Sequence, residues 1–440
     1  MHEMKDSGIE WIGQIPKDWK IARLCYLIDG YKAGPFGSAL IMDKLSDEGN
    51  ILIYTPETIA TGNTELPTNK YLPECRKDEM QQFFVKSGDI IFPIVGSLGR
   101  AMVVNENMPI GIINQRLAKF RLSSNEIVYP FFMRLFGESD FFQTYIELMC
   151  RGSIIVNLTK MILHDMPVPI PPIKEQQQIS DYLDPQCSEI DATAEDIQKE
   201  ISLLEDYKKS VITEAVTKGL NPDAEMKDSG IEWIGQIPKH WKIIRIKNVG
   251  EYRNGLTYKP TDLTDENTGT LVLRSSNIQD GKISLNDNVY VSTFVRSDLK
   301  VKKGDILICS RNGSRELVGK NAIIEDLKDV TFGAFMMIFR CNSPKYLYYI
   351  LNSKVFSYYL GSFFTSTINQ LTGSNFGNMK IVYVSDKLEQ SKIVSYLDSK
   401  CSEIDSLIAD KKRQLDILAD YKRALIYEYV TGKKEVPVNE

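Results

Sequence analysis

Two stretches of the chain spell residues that phosphate chemistry uses. Pro222-Asp-Ala-Glu-Met-Lys227 has the order of a nuclease-type Pro-Asp…Glu-x-Lys. In such a site the first acid and the Glu-x-Lys strand meet across a sheet to hold magnesium against a scissile phosphate. Here the residues share one polar linker, and the matching Glu3-Met-Lys5 near the N-terminus lacks the Pro-Asp. Gly313 to Gly319-Lys320 evokes a phosphate loop, but five residues separate the glycines and Asn321 stands where Ser or Thr would hold the cation. It reads as a turn with basic residues. No Asn-Pro-Pro-Tyr-like methyltransferase motif and no Gly-x-Ser-x-Gly elbow occurs.

Metal chemistry is equally poorly provided for. The histidines are His2, His164 and His240, and the cysteines at 25, 75, 150, 187, 309, 341 and 401 form no C-x-x-C pair. These spacings do not make a zinc site, and seven single cysteines read as free thiols. The expectation is a chain with no catalytic site, metal or cofactor of its own. A polar N-terminus and the lack of an apolar run near 18 residues predict a cytoplasmic protein.

The net charge of −5 hides a local pattern. Residues 174–242 carry −7, whereas residues 243–386 carry +5. Local patches govern attraction to phosphate more than the total does, so the basic stretch is a candidate for nucleic acid.

The elements that must position such residues are duplicated. Residues 3–20 and 225–242 match at 17 of 18 positions, the one change being Asp18 against His240. Further along, Tyr182-Leu-Asp184, Cys187-Ser-Glu-Ile-Asp191 and Asp206-Tyr-Lys208 recur 214 residues later as Tyr396-Leu-Asp398, Cys401-Ser-Glu-Ile-Asp405 and Asp420-Tyr-Lys422. The implied segments are a repeat at 1–20, a variable domain at 21–173, a helix at 174–222, the second repeat at 223–242, a second variable domain at 243–386 and a second helix at 387–440. At 440 residues, several domains are expected.

Both helical segments carry a seam. Leu183, Cys187, Ile190, Ala194, Ile197, Ile201, Leu204, Lys208, Val211 and Ala215 alternate four and three apart. The second copy runs Leu397, Cys401, Ile404, Ile408, Lys411, Leu415, Leu418, Lys422, Leu425 and Tyr429. A 3.5-residue apolar repeat is a coiled-coil signature, lysine within it limits register and partner, and each copy is the obvious partner of the other. Asp184-Pro185 suits an N-cap and first helical residue, so the long helix is expected to start there, after a shorter helix carrying Glu175-Gln-Gln-Gln, and to run to about Lys218, about 50 Å. The variable domains read as α/β, with strands near 51–54, 89–92, 101–104, 270–273 and 305–309, a Gly-Asp turn before a strand in each (Gly88-Asp89, Gly304-Asp305), and helices near 129–149 and 344–360.

With these motifs in order, the whole chain resembles the specificity subunits of type I restriction–modification systems. The likeness rests on Trp-Ile-Gly-x-Ile-Pro-x-x-Trp at the head of each half, Gly34-Pro-Phe-Gly-Ser38, Gly88-Asp-Ile-Ile with Gly96-Ser-Leu-Gly-Arg100, Pro169-Ile-Pro-Pro172 running into Glu175-Gln176, and Tyr-Leu-Asp before each long helix. The resemblance implies an α/β fold: two target-recognition domains separated by a pair of long antiparallel coiled-coil helices, with pseudo-two-fold internal duplication. It implies that each domain reads half of a bipartite site on double-stranded DNA, that the helices set the spacer, and that two methyltransferase subunits dock there with motor-nuclease subunits joining that core. S-adenosylmethionine, ATP and magnesium would belong to those partners. The second half departs from the pattern at Ile381-Val-Tyr-Val-Ser-Asp-Lys387, which predicts a differently shaped approach to the second helix, and at Ser310-Arg-Asn-Gly-Ser-Arg315, so contacts need not transfer between domains.

Phosphates favour Lys and Arg, while base edges are read by Arg, Asn, Gln and Ser. Candidate DNA contacts in the first variable domain are Lys32, Ser38, Ser97, Arg100, Gln115, Arg116, Arg151, Ser153 and Asn157. In the second they are Arg253, Tyr258, Lys259, Arg274, Ser275, Ser276, Asn277, Arg311, Asn312, Ser314, Arg315, Ser366, Asn369 and Gln370. Trp11, Trp19, Trp233 and Trp241 could stack on bases, but they lie in the duplicated scaffold and read better as packing anchors. The rival reading is a DNA-independent coiled-coil scaffold, which explains the seams but leaves the divergence of the variable domains without a purpose.

Overall fold

A computed structural model describes residues 3–36, 39–40, 45–96, 100–150, 158–363 and 369–437. The chain divides into two compact units, Met1–Ile197 with Arg413–Glu440, and Gln198–Lys412. Each unit therefore holds one variable domain and a stretch of both long helices, α1 (Ile173–Lys218) and α2 (Lys387–Val430).

Helix α1 does not start at Asp184. It runs through Pro185 without interruption. An interior proline leaves the carbonyl four residues back without its donor and crowds it, at about 3 kcal/mol. Asp181 and Pro185 both lie on the exposed face, where water can reach that carbonyl, while Ile179, Leu183 and Cys187 are buried on the opposite side. Packing on both sides of the proline thus outweighs the local break. Asp184 is no cap: its carboxylate takes Arg134, at 2.7 Å. Helix α2 is capped by Asp386, which accepts the Leu388 N–H at 3.0 Å.

Every seam position is buried or half-buried, and nearly all residues between them are exposed from 183 to 210 and from 397 to 424. In the first unit Lys422 pairs with Asp191 at 2.7 Å and Tyr429 packs on Tyr182 with ring centroids 4.9 Å apart. In the second unit Lys208 pairs with Asp405 at 2.6 Å and Lys411 with Glu200. Partner numbers fall on one helix as they rise on the other, so the helices are antiparallel in each unit. The seam lysines are neutralised by carboxylates of the opposite helix.

The variable domains share one frame. In the first, β1 (Ile28–Ala33), β2 (Leu52–Tyr54), β3 (Ile90–Pro93), β4 (Met102–Val103), β5 (Gly111–Ile113) and β6 (Leu117–Leu122) form an antiparallel sheet in the order β1-β6-β3-β4 and a parallel pair β2-β5. In the second, β7 (Gly250–Asn254), β8 (Thr270–Leu273), β9 (Ile306–Cys309), β10 (Asn321–Ile323), β11 (Thr331–Phe332) and β12 (Met336–Cys341) give β7-β12-β9-β10 and a parallel β8-β11. Registers match, with Ile90 opposite Phe120 and Ile306 opposite Phe339.

The repeated Gly-Asp turn explains itself here. Gly88 and Gly304 have φ of +85° and +87°, a left-handed backbone that glycine adopts without strain. The following Asp is buried under the sheet. Asp89 accepts the Lys86 N–H and pairs with Lys119 and Arg121 at 2.9 and 2.8 Å. Asp305 accepts the Lys302 N–H and is gripped by Nε and Nη2 of Arg340, both at 2.7 Å.

Each repeat folds as a small hairpin, Met4–Asp6 with Gln14–Pro16 and Met226–Asp228 with Gln236–Pro238. Trp19 and Trp241 are fully buried, and Trp241 Nε1 donates to Glu389 at 3.0 Å. Trp11 packs on Phe141 with centroids 4.8 Å apart, and Trp233 stacks on Tyr358 at 4.3 Å. The tryptophans are packing anchors. Next to each repeat, the strand entering a variable domain pairs with the strand leaving it: Lys20–Arg23 with Pro167–Ile170, and Lys242–Arg245 with Lys380–Tyr383. The missing prolines at 381–387 leave this pairing unchanged, but the approach to the helix differs, as expected: three residues, 384–386, with Asp386 as the cap, lead into α2, against two, 171–172, into α1.

Candidate nucleic-acid interface

In the second unit β7, β8, β9 and β11 end, and β12 begins, around one cleft of about 820 Å³. Seven sequence-predicted residues line it: Tyr258, Arg274, Ser275, Ser276, Arg311, Asn312 and Asn369. The chain after β7 approaches the β11–β12 turn so closely that a Cβ on Gly255 would lie 2.2 Å from the Gly333 carbonyl oxygen, so only glycine fits. This close approach brings Tyr258 to the cleft wall.

The cleft side chains are held in place differently. Arg274 donates to the Asp287 carboxylate at 2.7 Å. Asn312 Nδ2 reaches Ser275 Oγ at 3.2 Å, and Asn369 Nδ2 reaches the Gly313 carbonyl at 3.1 Å. The Ser310 and Arg311 N–H groups both donate to the Phe335 carbonyl, at 2.9 and 3.1 Å. The Arg311 guanidinium then lies 5.1 Å from the centre of the Phe335 ring, which is 59% exposed. Such a contact favours the cation by about 0.5–1 kcal/mol at an exposed site. The result is a polar, cationic surface with an aromatic floor.

Other candidates are not brought to this cleft. Asn277 is fully buried: its amide donates to the Ser284 and Asp287 carbonyls at 3.0 and 3.1 Å and accepts the Arg274 N–H at 2.9 Å. It pins the turn after β8 and cannot face a base, which corrects its assignment. Arg253 is committed to Asp298 at 2.6 Å, and Arg315 donates to the Gly361 carbonyl at 3.4 Å. Lys259, Ser314 and Gln370 lie outside the cleft lining, Gln370 pairing its backbone with Arg311. Ser366 lies outside the described residues. Sequence reasoning missed Phe335 and Asp287. The criterion that chose Tyr258, an aromatic in a predicted loop, would have found Phe335 in the Gly333-Ala-Phe turn, whereas nothing local marks Asp287.

The first variable domain presents the same edge. A Cβ on Gly34 would meet the Asn114 carbonyl oxygen at 1.8 Å, the counterpart of the Gly255 approach. Gln115 and Arg116 are exposed in the turn before β6. Arg116 anchors as Phe335 does, its carbonyl accepting the Ile94 N–H at 2.8 Å, while its own N–H donates to Asn114 Oδ1 at 2.9 Å. Its guanidinium lies over Gly96, where a Cβ would come within 2.8 Å. Lys32 donates to Gln82 at 2.6 Å, and Arg100 to the Ala60 carbonyl at 2.8 Å. Ser38, Ser97, Arg151, Ser153 and Asn157 lie outside the described residues.

The nuclease-like linker is put to structural use: Glu225 pairs with Lys239 across the hairpin at 2.9 Å. Among the described residues, no group of three His, Cys, Asp or Glu side chains could hold a metal ion, and no helix is long and apolar enough to cross a membrane.

Residues 16–203 and 238–416 match the model of the type I restriction modification DNA specificity domain. The chain belongs to that family. Among relatives of this specificity subunit, the type I restriction enzyme MjaVIII specificity subunit of Methanocaldococcus jannaschii is 24% identical, covering 96% of this chain and 94% of the relative. The EcoKI specificity subunit of Escherichia coli K12 is 24% identical over 72% of this chain and 66% of its own length. A solved chain from work on complex assembly and conformational transition of the type I R-M system shares the fold, with a TM-score of 0.59 and 17% identity over 96% of this chain and 99% of that one. The specificity subunit thus has two α/β recognition domains and a long antiparallel helix pair, and the rival reading as a DNA-independent scaffold is not supported.

Proposed function

We propose that this specificity subunit reads a bipartite, asymmetric site on double-stranded DNA, one half with each recognition domain. The observation that supports this reading is the pairing of one frame with two different sets of side chains at the same sheet edge, Phe335 with Arg311 in one domain and Arg116 in the other. Phosphate contacts would position each domain and the cleft side chains would read base edges. The long helices act as the ruler for the unread spacer and dock two methyltransferase subunits, with motor-nuclease subunits joining that core. The chain supplies recognition and no catalysis. S-adenosylmethionine, ATP and magnesium act in the partners.

Methylome sequencing of cells expressing the chain with its methyltransferase partner tests the reading. The expected result is methylation at two unlike half-sites separated by a fixed, degenerate spacer. A contiguous or palindromic motif would overturn it.

A further inference from the structure

We infer that each recognition domain reads one guanine-bearing base pair through a single arginine, Arg311 in the second domain and Arg116 in the first. This rests on the bipartite reading above and adds the residue and the base.

The choice follows from which donors are already spent. In and near the second cleft, Arg274 is committed to Asp287, Arg253 to Asp298 and Arg315 to the Gly361 carbonyl. Arg311 alone among these has, within the described residues, no carboxylate or carbonyl on its guanidinium; its contact is the Phe335 ring. A guanidinium over a ring face keeps its in-plane N–H fork pointing outward. The fork is also well based, because the Arg311 N–H is fixed to the Phe335 carbonyl and its backbone bridges to Gln370. A planar pair of donors presented on a fixed main chain matches O6 and N7 of guanine in the major groove.

The same elimination works in the first domain. Lys32 is spent on Gln82, Arg100 on the Ala60 carbonyl, and Lys119 and Arg121 on Asp89. Arg116 is exposed, and its main chain is fixed on both sides of the side chain by Ile94 and Asn114. It stands at the position that Phe335 occupies in the second domain, as the shared hydrogen bond from the end of the central strand shows. Among the described residues, each domain therefore places one such fork at the same edge, from the end of the central strand in the second domain and from the facing turn in the first.

The test uses the complex of the full chain with its methyltransferase partner, and duplexes carrying each single base-pair change in the recognised site. Wild-type complex is expected to bind roughly 5- to 150-fold more weakly when the assigned G·C pair of the second half-site is changed. Arg311→Lys keeps the charge and removes the fork. It should shrink that one penalty towards unity and leave the penalties at other positions, including the whole first half-site, in place. Arg116→Lys should do the same for one pair of the first half-site. Uniform weakening across all duplexes, down to loss of binding, or relaxation at an A·T pair, would overturn the assignment. A wild-type complex that shows no penalty anywhere in a second half-site would instead sink the bipartite reading, which separates the two failures.

Discussion

The two recognition domains keep the same main chain and change the side chains that it presents. Gly34 and Gly255 make the same close approach, Gly88 and Gly304 the same left-handed turn, and Asp89 and Asp305 the same buried clamp. At the open edge they diverge. In the second domain an arginine from the end of the central strand lies over a phenylalanine from the turn before the last strand. In the first domain that turn supplies the arginine itself, seated on Gly96. The comparison teaches that positions dictated by backbone strain or by burial of a charge cannot vary, whereas the side chains at the strand ends face no packing constraint and are free to encode a new site.

If the frame is shared, the domains should be exchangeable. Ile21 and Pro169 are paired in the strands that close the first domain, so its ends lie side by side. Replacing residues 21–170 by the equivalent stretch of a relative should change one half-site completely and leave the other unaltered, as methylome sequencing would show. A change in both halves would mean that the domains do not act separately.

A still stricter version is the half-chain. Residues 1–222 lack Leu425, Ile426, Tyr429 and Val430, which belong to the core of the first unit. A second copy could supply Val211, Ile212, Ala215 and Val216 from the duplicated helix, and Lys208 of each copy would meet Asp191 of the other. The expected state by light scattering is a symmetric dimer that, with methyltransferase, marks a palindrome of the first half-site. A monomer that leaves no such mark would show that the halves are not equivalent.

The buried clamps should differ in degree. The Asp305 side chain is 1% exposed and held by two nitrogens of Arg340, which is 29% exposed, so Asp305→Ala leaves a half-buried cation that water can partly reach, at a cost of about 1–3 kcal/mol. Asp89→Ala should cost more: Arg121 is 45% exposed and can turn to water, but Lys119 is 12% exposed and would be left as a buried, unpaired cation. Hydrogen exchange resolved by unit would report both losses; equal losses, or a larger one for Asp305, would contradict this burial argument.

The smallest effect concerns the duplicated thiols. Burial raises the Cys187 thiol and pushes Cys401 up to about 11, despite the nearby Lys208. Since the thiolate is the nucleophile, alkylation at pH 8 should reach the exposed Cys75 well before either. Raising the pH increases the thiolate fraction of Cys401 about tenfold per unit below its pKa, so its labelling should quicken accordingly. Fast labelling of Cys401 at pH 8 would mean that the helix pair opens there.

Much of this architecture was legible in the residues because it follows from strict periods. The seams show as a 3.5-residue apolar repeat, the strands at 90–93 and 306–309 as short apolar runs, and the halves as a near-identical repeat. What was not legible depends on distant partners. The start of α1 was misplaced because a local proline signal competes with packing that only the folded helix pair supplies. Asn277 was misassigned because a polar residue in a turn looks the same whether its amide faces water or three backbone groups. The cluster around Arg311 was legible as composition, but the carboxylate that occupies Arg274 and the ring beneath Arg311 come from segments well removed in the chain.

The ion pair between Glu200 and Lys411 has a consequence of its own. In a dimer of identical halves, every interhelical contact would occur twice, and any substitution would strike both copies at once. Shifting this pair by the 214-residue offset gives Gln414 and Ile197, which carry no charge. The chain holds this contact in one half only. Fusing two halves into one polypeptide lets each side accumulate changes that the other does not share. A single gene can thereby mutate towards a DNA target with unlike ends, a direction closed to any homodimer.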